Sequence, residues 1–158
     1  MRQRLLAWCL CVLSSLAVTP AFAEQALVAV AANFVPPFRE IAIAFETTTC
    51  HTLRVAAGSS GNFYSQIKNG APFDLFLSAD VERPKLLEDE GLGVKESRFT
   101  YAIGRLVLWS PNPDLIKGEE TLRSKNFKHL ALANPKTAPY GVAAIQTMQK
   151  LGVWENVR

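Results

Sequence analysis

The sequence predicts an α/β fold with a mostly parallel sheet, leading into a second lobe. Three observations predict it. Short apolar runs of strand length alternate with segments of helical periodicity, Gly, Asn, Ser and Pro punctuate the junctions, and the texture changes after Phe99. The 158 residues, 49% apolar and 20% charged, suffice for one compact domain or two small lobes and are too apolar for a disordered chain. Net charge is +3 with no basic run of the kind that binds nucleic acid.

Residues 1–23 read as a secretory signal peptide. Arg2 and Arg4 form the positive start, Leu5 to Val18 the apolar stretch, and Ala21-Phe22-Ala23 a small-x-small site with cleavage after Ala23. The alternative, a membrane anchor, is disfavoured by the shortness of the run and by Thr19-Pro20. Cys9 and Cys11 leave with the leader, so Cys50 stands alone, with no internal disulfide and no cysteine-based metal site expected.

Ala26 to Ala32 is a short apolar run, expected as a buried strand. Pro36 and Pro37 suit a helix start, and Phe38, Ile41, Ala42 and Phe45 follow at helical spacing. His51 to Ala57 is the second strand, Gly58-Ser59-Ser60-Gly61 a turn, and Asn62 to Lys68 the next helix. Asn69-Gly70 stops it, Phe73 to Leu77 is the third strand, and Val81 to Glu90 is a helix ended by Gly91. Phe99 to Gly104 is expected to cross into the second lobe, dividing the chain into residues 24–103 and 104–158. There, Tyr101 to Trp109 and Leu130 to Ala133 are expected as strands, with a short helix near Thr121 and another over Val142 to Leu151. Trp109 and Trp154 are expected in the core. Two strands are too few to close a sheet, so the sequence is expected to be part of a longer protein.

Three loops sit at the carboxyl ends of predicted strands and lead into helices: Asn33, Ser59-Ser60-Gly61 and Tyr140-Gly141. Open α/β sheets bind ligands at that edge, where helix N-termini present free N–H groups and a positive dipole end. The loop tips offer an amide, hydroxyls and a phenol, with no ionised side chain. That chemistry suits a fully deprotonated anion. Asn33, Ser59 and Ser60 are equally the residue types that cap helices, so both readings stand.

Other candidates are weaker. Gly58-Ser59-Ser60-Gly61 lacks the spacing of a Gly-x-Ser-x-Gly nucleophile elbow. His51 and His129 have no evident acidic partner, and Cys50-His51 is only half a metal site. Asp74 and Asp80 look like capping groups, and Glu88-Asp89-Glu90 like a solvated helix end. No paired carboxylates and no Ser/His/Asp set emerge, so binding is favoured over catalysis.

Val28-Ala29-Val30-Ala31-Ala32-Asn33-Phe34, Ala57-Gly58-Ser59-Ser60-Gly61 and the block Asn69-Gly70-Ala71-Pro72-Phe73-Asp74-Leu75-Phe76-Leu77-Ser78-Ala79-Asp80 resemble the periplasmic molybdate-binding proteins of ABC importers, the ModA family. Thr100 to Ser110 and Asn134 to Gly141 fit the same pattern. The resemblance implies a two-lobed type II periplasmic binding protein fold, incomplete at its C-terminus. It implies capture of molybdate or tungstate through Asn33, Ser59, Ser60 and Tyr140, the last standing where other members have a small residue. It further implies a monomer without a cofactor, located in the periplasm, handing its anion to a membrane permease and ATPase, with no nucleic-acid partner and no enzymatic activity. The alternatives are a binder of sulfate or phosphate, a non-functional fragment, or a secreted hydrolase using Ser60.

Overall fold

The computed structural model describes residues 23–158, so all of the predicted leader except Ala23 lies outside the described residues. The chain opens with β1 (Gln25–Ala31), a 3-10 turn (Ala32–Phe34) and α1 (Val35–Thr49). It continues through β2 (Thr52–Gly58), α2 (Ser60–Lys68), β3 (Leu75–Leu77) and α3 (Glu82–Asp89). A long stretch without regular elements follows, broken by a 3-10 turn at Pro113–Leu115 and by α4 (Glu120–Ser124). The chain then forms α5 (Pro139–Lys150) and α6 (Trp154–Val157).

The three strands form one parallel sheet in the order β2-β1-β3. Central β1 pairs on both sides, with Val28 opposite Val55 on one edge and Leu75 on the other. Its Val28, Ala29 and Val30 are fully buried, which is why this strand reads as an unbroken apolar run. Parallel pairing with helical crossovers sends every strand out at the same edge, so the loops after β1, β2 and β3 gather there.

Pro36 and Pro37 lie in the first turn of α1, as their missing N–H groups and fixed φ favour. Phe38 and Ala42, one turn apart, pack on Val28, Val30 and Leu77. Ile41 and Phe45, expected on the same face, are exposed instead, and Phe45 stacks on His51. The helix ends at exposed Cys50 in the left-handed conformation, φ 61°. α2 begins two residues before the predicted start because the Ser59 hydroxyl accepts from Asn62 N–H and caps it. β3 is shorter than predicted. Asp74 is drawn out of it to hold β1, donating its N–H to the Leu27 carbonyl while its carboxylate accepts from Leu27 N–H at 2.7 Å. Asp80 caps as expected: its carboxylate accepts from Arg83 N–H and pairs with the Arg83 guanidinium. At the far end of α3, Gly91 takes the left-handed conformation expected of a helix stop.

Tyr101 to Trp109 and Leu130 to Ala133 are not strands. Ile103 is 90% exposed, and Trp109, expected in the core, is 76% exposed. An apolar pattern makes a strand only when another edge is there to take its N–H and C=O groups, and among the described residues none pairs with these segments. Trp154 packs as expected, in a second apolar cluster of Leu122, Met148 and Val153 bordered by Leu108, Phe127 and Leu130. Among the described residues no helix is long and apolar enough to cross a membrane.

Candidate functional site

The turn after β1 carries Asn33 and the helix start after β2 carries Ser59 and Ser60. Tyr140 lies in the first turn of α5. These segments converge. Asn33 Nδ2 donates to the Tyr140 hydroxyl at 3.3 Å, a contact across 107 residues of chain. Gly61 N–H donates to the Thr137 carbonyl at 3.0 Å, tying the second loop to the segment before Tyr140. Only glycine permits this approach, because a Cβ at position 61 would meet the Thr137 carbonyl oxygen at 2.9 Å. The Tyr140 hydroxyl also reaches the backbone at Gly104, 2.7 Å from where a Cβ would stand.

Ser60 is 1% exposed. Its Oγ accepts from Ala79 N–H at 2.9 Å, and among the described residues no acceptor takes its own proton. A buried hydroxyl that only accepts keeps a proton it can still donate. Ser59, in contrast, is committed as a cap. The Tyr140 hydroxyl accepts from Asn33 and keeps its proton to give. Ser60 and Tyr140 both stand in first turns of helices, whose positive dipole ends add to an attraction for negative charge.

A cavity of about 750 Å³ opens beside these loops. Asn33, Ser78, Ala79, Tyr101 and Tyr140 line one part, and Leu75, Leu87, Leu92, Val94 and Phe99 are among the apolar residues lining the rest. Ser59 and Ser60 do not line it. Asp80 also faces the cavity, but its charge is taken by Arg83 and by the Ser78 hydroxyl. In the polar part Asn33 and Tyr140 keep protons to give, while the Ser78 and Tyr101 hydroxyls and the Ala79 N–H are engaged within the protein; Asp74 and the paired Glu88 and Arg98 also line the cavity. Sequence reasoning missed Tyr101, whose hydroxyl donates to the Ser78 carbonyl at 2.7 Å and whose ring packs on Phe34, with centroids 4.6 Å apart. Its only sequence signal is a polar-tipped aromatic at the start of an apolar run. Burial pushes the Tyr101 phenol above its ordinary pKa, reinforced by the nearby Tyr140 hydroxyl, so it stays a donor through neutral pH.

Among the described residues no group of three or more His, Cys, Asp or Glu side chains could hold a metal ion, and Cys50-His51 gathers no further ligand. His51 Nδ1 instead accepts from Glu24 N–H at 3.1 Å, beside the start of β2.

The profile of the bacterial extracellular solute-binding protein family matches residues 26–158. The chain belongs to that family. It is similar to the molybdate-binding protein ModA of Rhodobacter capsulatus, 51% identical over 138 residues, which are 87% of this chain and 55% of that protein. ModA of Azotobacter vinelandii is 54% identical over 134 residues, 84% of this chain and 53% of that one. The solved structure of a periplasmic molybdate-binding protein from Azotobacter vinelandii superposes with a TM-score of 0.79 at 41% identity, covering 83% of this chain and 57% of that one. The architecture is that of a type II periplasmic binding protein. The chain spans about half the length of the relatives it matches.

Proposed function

We propose that this chain captures molybdate or tungstate as the periplasmic binding component of an ABC importer. The observation that carries the reading is the contact of Asn33 with Tyr140, together with the Gly61–Thr137 bond that ties the loop of Ser60 to the segment before Tyr140, so that three neutral donors stand on neighbouring loops. The names of its relatives supply the anion. A tetrahedral dianion without protons needs only donors. Each hydrogen bond to a charged partner contributes about 1.5–3 kcal/mol net, so a handful suffices for tight binding. Asn33, with one amide proton given to Tyr140, can give its other, Ser60 and Tyr140 one each, and the first turns of α2 and α5 add their dipoles. Ser59 contributes by shaping the cap. Sulfate carries the same charge on shorter bonds, so preference for the larger anion comes from the size of the space between the loops.

The two apolar clusters, one under the β-sheet and one around Met148, support a division into lobes at residues 24–103 and 104–158. Closure of the lobes on the anion would present the surface that the permease and ATPase read. The reading includes export through a leader cut after Ala23, a monomeric state, no cofactor and no catalytic role.

Thermal unfolding with molybdate, against a sulfate control, tests it. At a thousandfold excess over its dissociation constant molybdate is expected to stabilise by about 4 kcal/mol, a shift of several degrees. Asn33→Ala is expected to weaken binding roughly tenfold or more. A melt raised equally by sulfate, or unmoved by either anion, would refute the reading.

A further inference from the structure

The geometry points to Tyr101 as a positioning residue for anion capture, holding the peptide that aims the Ser60 hydroxyl, an assignment that rests on the capture reading above. Tyr101 begins a segment without regular structure and is half-buried, while residues 102–107 that follow are exposed. Two contacts hold it in place. Its ring packs on Phe34, the neighbour of Asn33, and its hydroxyl donates to the Ser78 carbonyl at 2.7 Å. That carbonyl and the Ala79 N–H belong to one peptide group, and the N–H donates to Ser60 Oγ at 2.9 Å. A planar peptide fixed at its oxygen is fixed at its N–H. Tyr101 therefore sets the direction from which Ser60 Oγ receives a proton. With that lone pair engaged, the Ser60 proton is left to point elsewhere. The bonds also polarise one another, since a carbonyl that accepts makes its own N–H a better donor. One side chain thus braces two of the three loops, that of Asn33 through its ring and that of Ser60 through a peptide.

The test is a double-mutant cycle on the chain, read by calorimetric titration with sodium molybdate. Tyr101→Phe keeps the ring on Phe34 and removes only the hydroxyl. It is expected to weaken molybdate binding about three- to tenfold in the otherwise unaltered chain. In a Ser60→Ala background the same substitution is expected to cost less than about twofold, because its effect passes through Ser60. Equal losses in the two backgrounds, or no loss in either, overturn the assignment. A second measurement needs no anion. Hydrogen exchange of the Ala79 amide in the ligand-free chain is expected to quicken by about tenfold in Tyr101→Phe, while the Val28 and Val30 amides keep their protection. Unchanged exchange at Ala79 overturns the assignment whatever the chain binds. Failure of the unaltered chain to bind molybdate refutes the capture reading instead, and the exchange result then decides the role of Tyr101 by itself.

Discussion

Leu27 to Ala31 and Tyr101 to Trp109 are both apolar runs, yet they meet opposite surroundings. The first lies between two parallel strands and under α1, with Val28, Ala29 and Val30 fully buried. The second pairs with no strand among the described residues and leaves Ile103, Val107 and Trp109 largely in solvent. Composition does not separate them. What separates them is the presence of edges: β1 has one on each side, and each brings a row of backbone partners. A strand is a relation between segments, and its apolar pattern is only the condition for entering one.

Three substitutions probe the contrast, beginning with the largest effect. Phe38→Ala empties the space between α1 and Val28, Val30 and Leu77, and should cost about 3–5 kcal/mol in denaturant unfolding. A loss below about 1 kcal/mol would mean the sheet does not depend on that packing. The second concerns how α2 and α3 are joined. Lys68 donates to Glu90 at 2.9 Å, and the Tyr64 hydroxyl donates to the same carboxylate oxygen. The hydrogen bond from Lys68, then that from Tyr64, holds the Glu90 carboxyl below its usual value, and the bond to Glu90 raises the Lys68 ammonium. A lowered carboxyl stabilises above its ordinary pKa, and that contribution is lost as pH falls through the lowered value. The raised ammonium stabilises below its ordinary pKa, and its contribution is lost as pH climbs through the raised one. Glu90→Gln should therefore lower stability modestly near neutrality and flatten its fall on acidification, as a series of melts against pH would show. Both groups are exposed, so added salt should shrink the difference. The smallest effect belongs to the unpaired run. Trp109→Ser should change stability by no more than about 0.5 kcal/mol, because the ring buries little. A larger loss in chemical denaturation would show that the run is packed in solution.

Much of the first part of the fold was legible in the sequence. The strand-helix alternation, the prolines opening α1, the Gly91 stop and the capping role of Asp80 all follow from local chemistry that a few neighbouring residues decide. Tyr101 to Trp109 misled because a period and a composition carry no record of a pairing edge. Trp109 misled for the same reason, since the expectation that it is buried presupposed a sheet around it. At the candidate site the residue types could be read, but their meeting could not. Asn33 and Tyr140 touch across 107 residues, and only packing brings them together. Residue type alone did not separate Ser59 from Ser60; only the family resemblance favoured Ser60. The helix start separates them, giving the first to a cap and burying the second with a free proton. Tyr101 was invisible because its importance lies in a bond to a main-chain carbonyl, which no side-chain pattern encodes.

Cys50 gives the parallel sheet a practical use. It closes α1 just ahead of β2, at the edge opposite the converging loops, and its thiol is exposed. The seven residues of β2 span roughly 20 Å between the two edges. A fluorophore coupled to that sulfur would ride on the sheet, clear of the converging loops, and serve as the fixed end of a distance ruler. Its partner label, placed on α5, would register any change in the gap between the sheet and the segment that carries Tyr140.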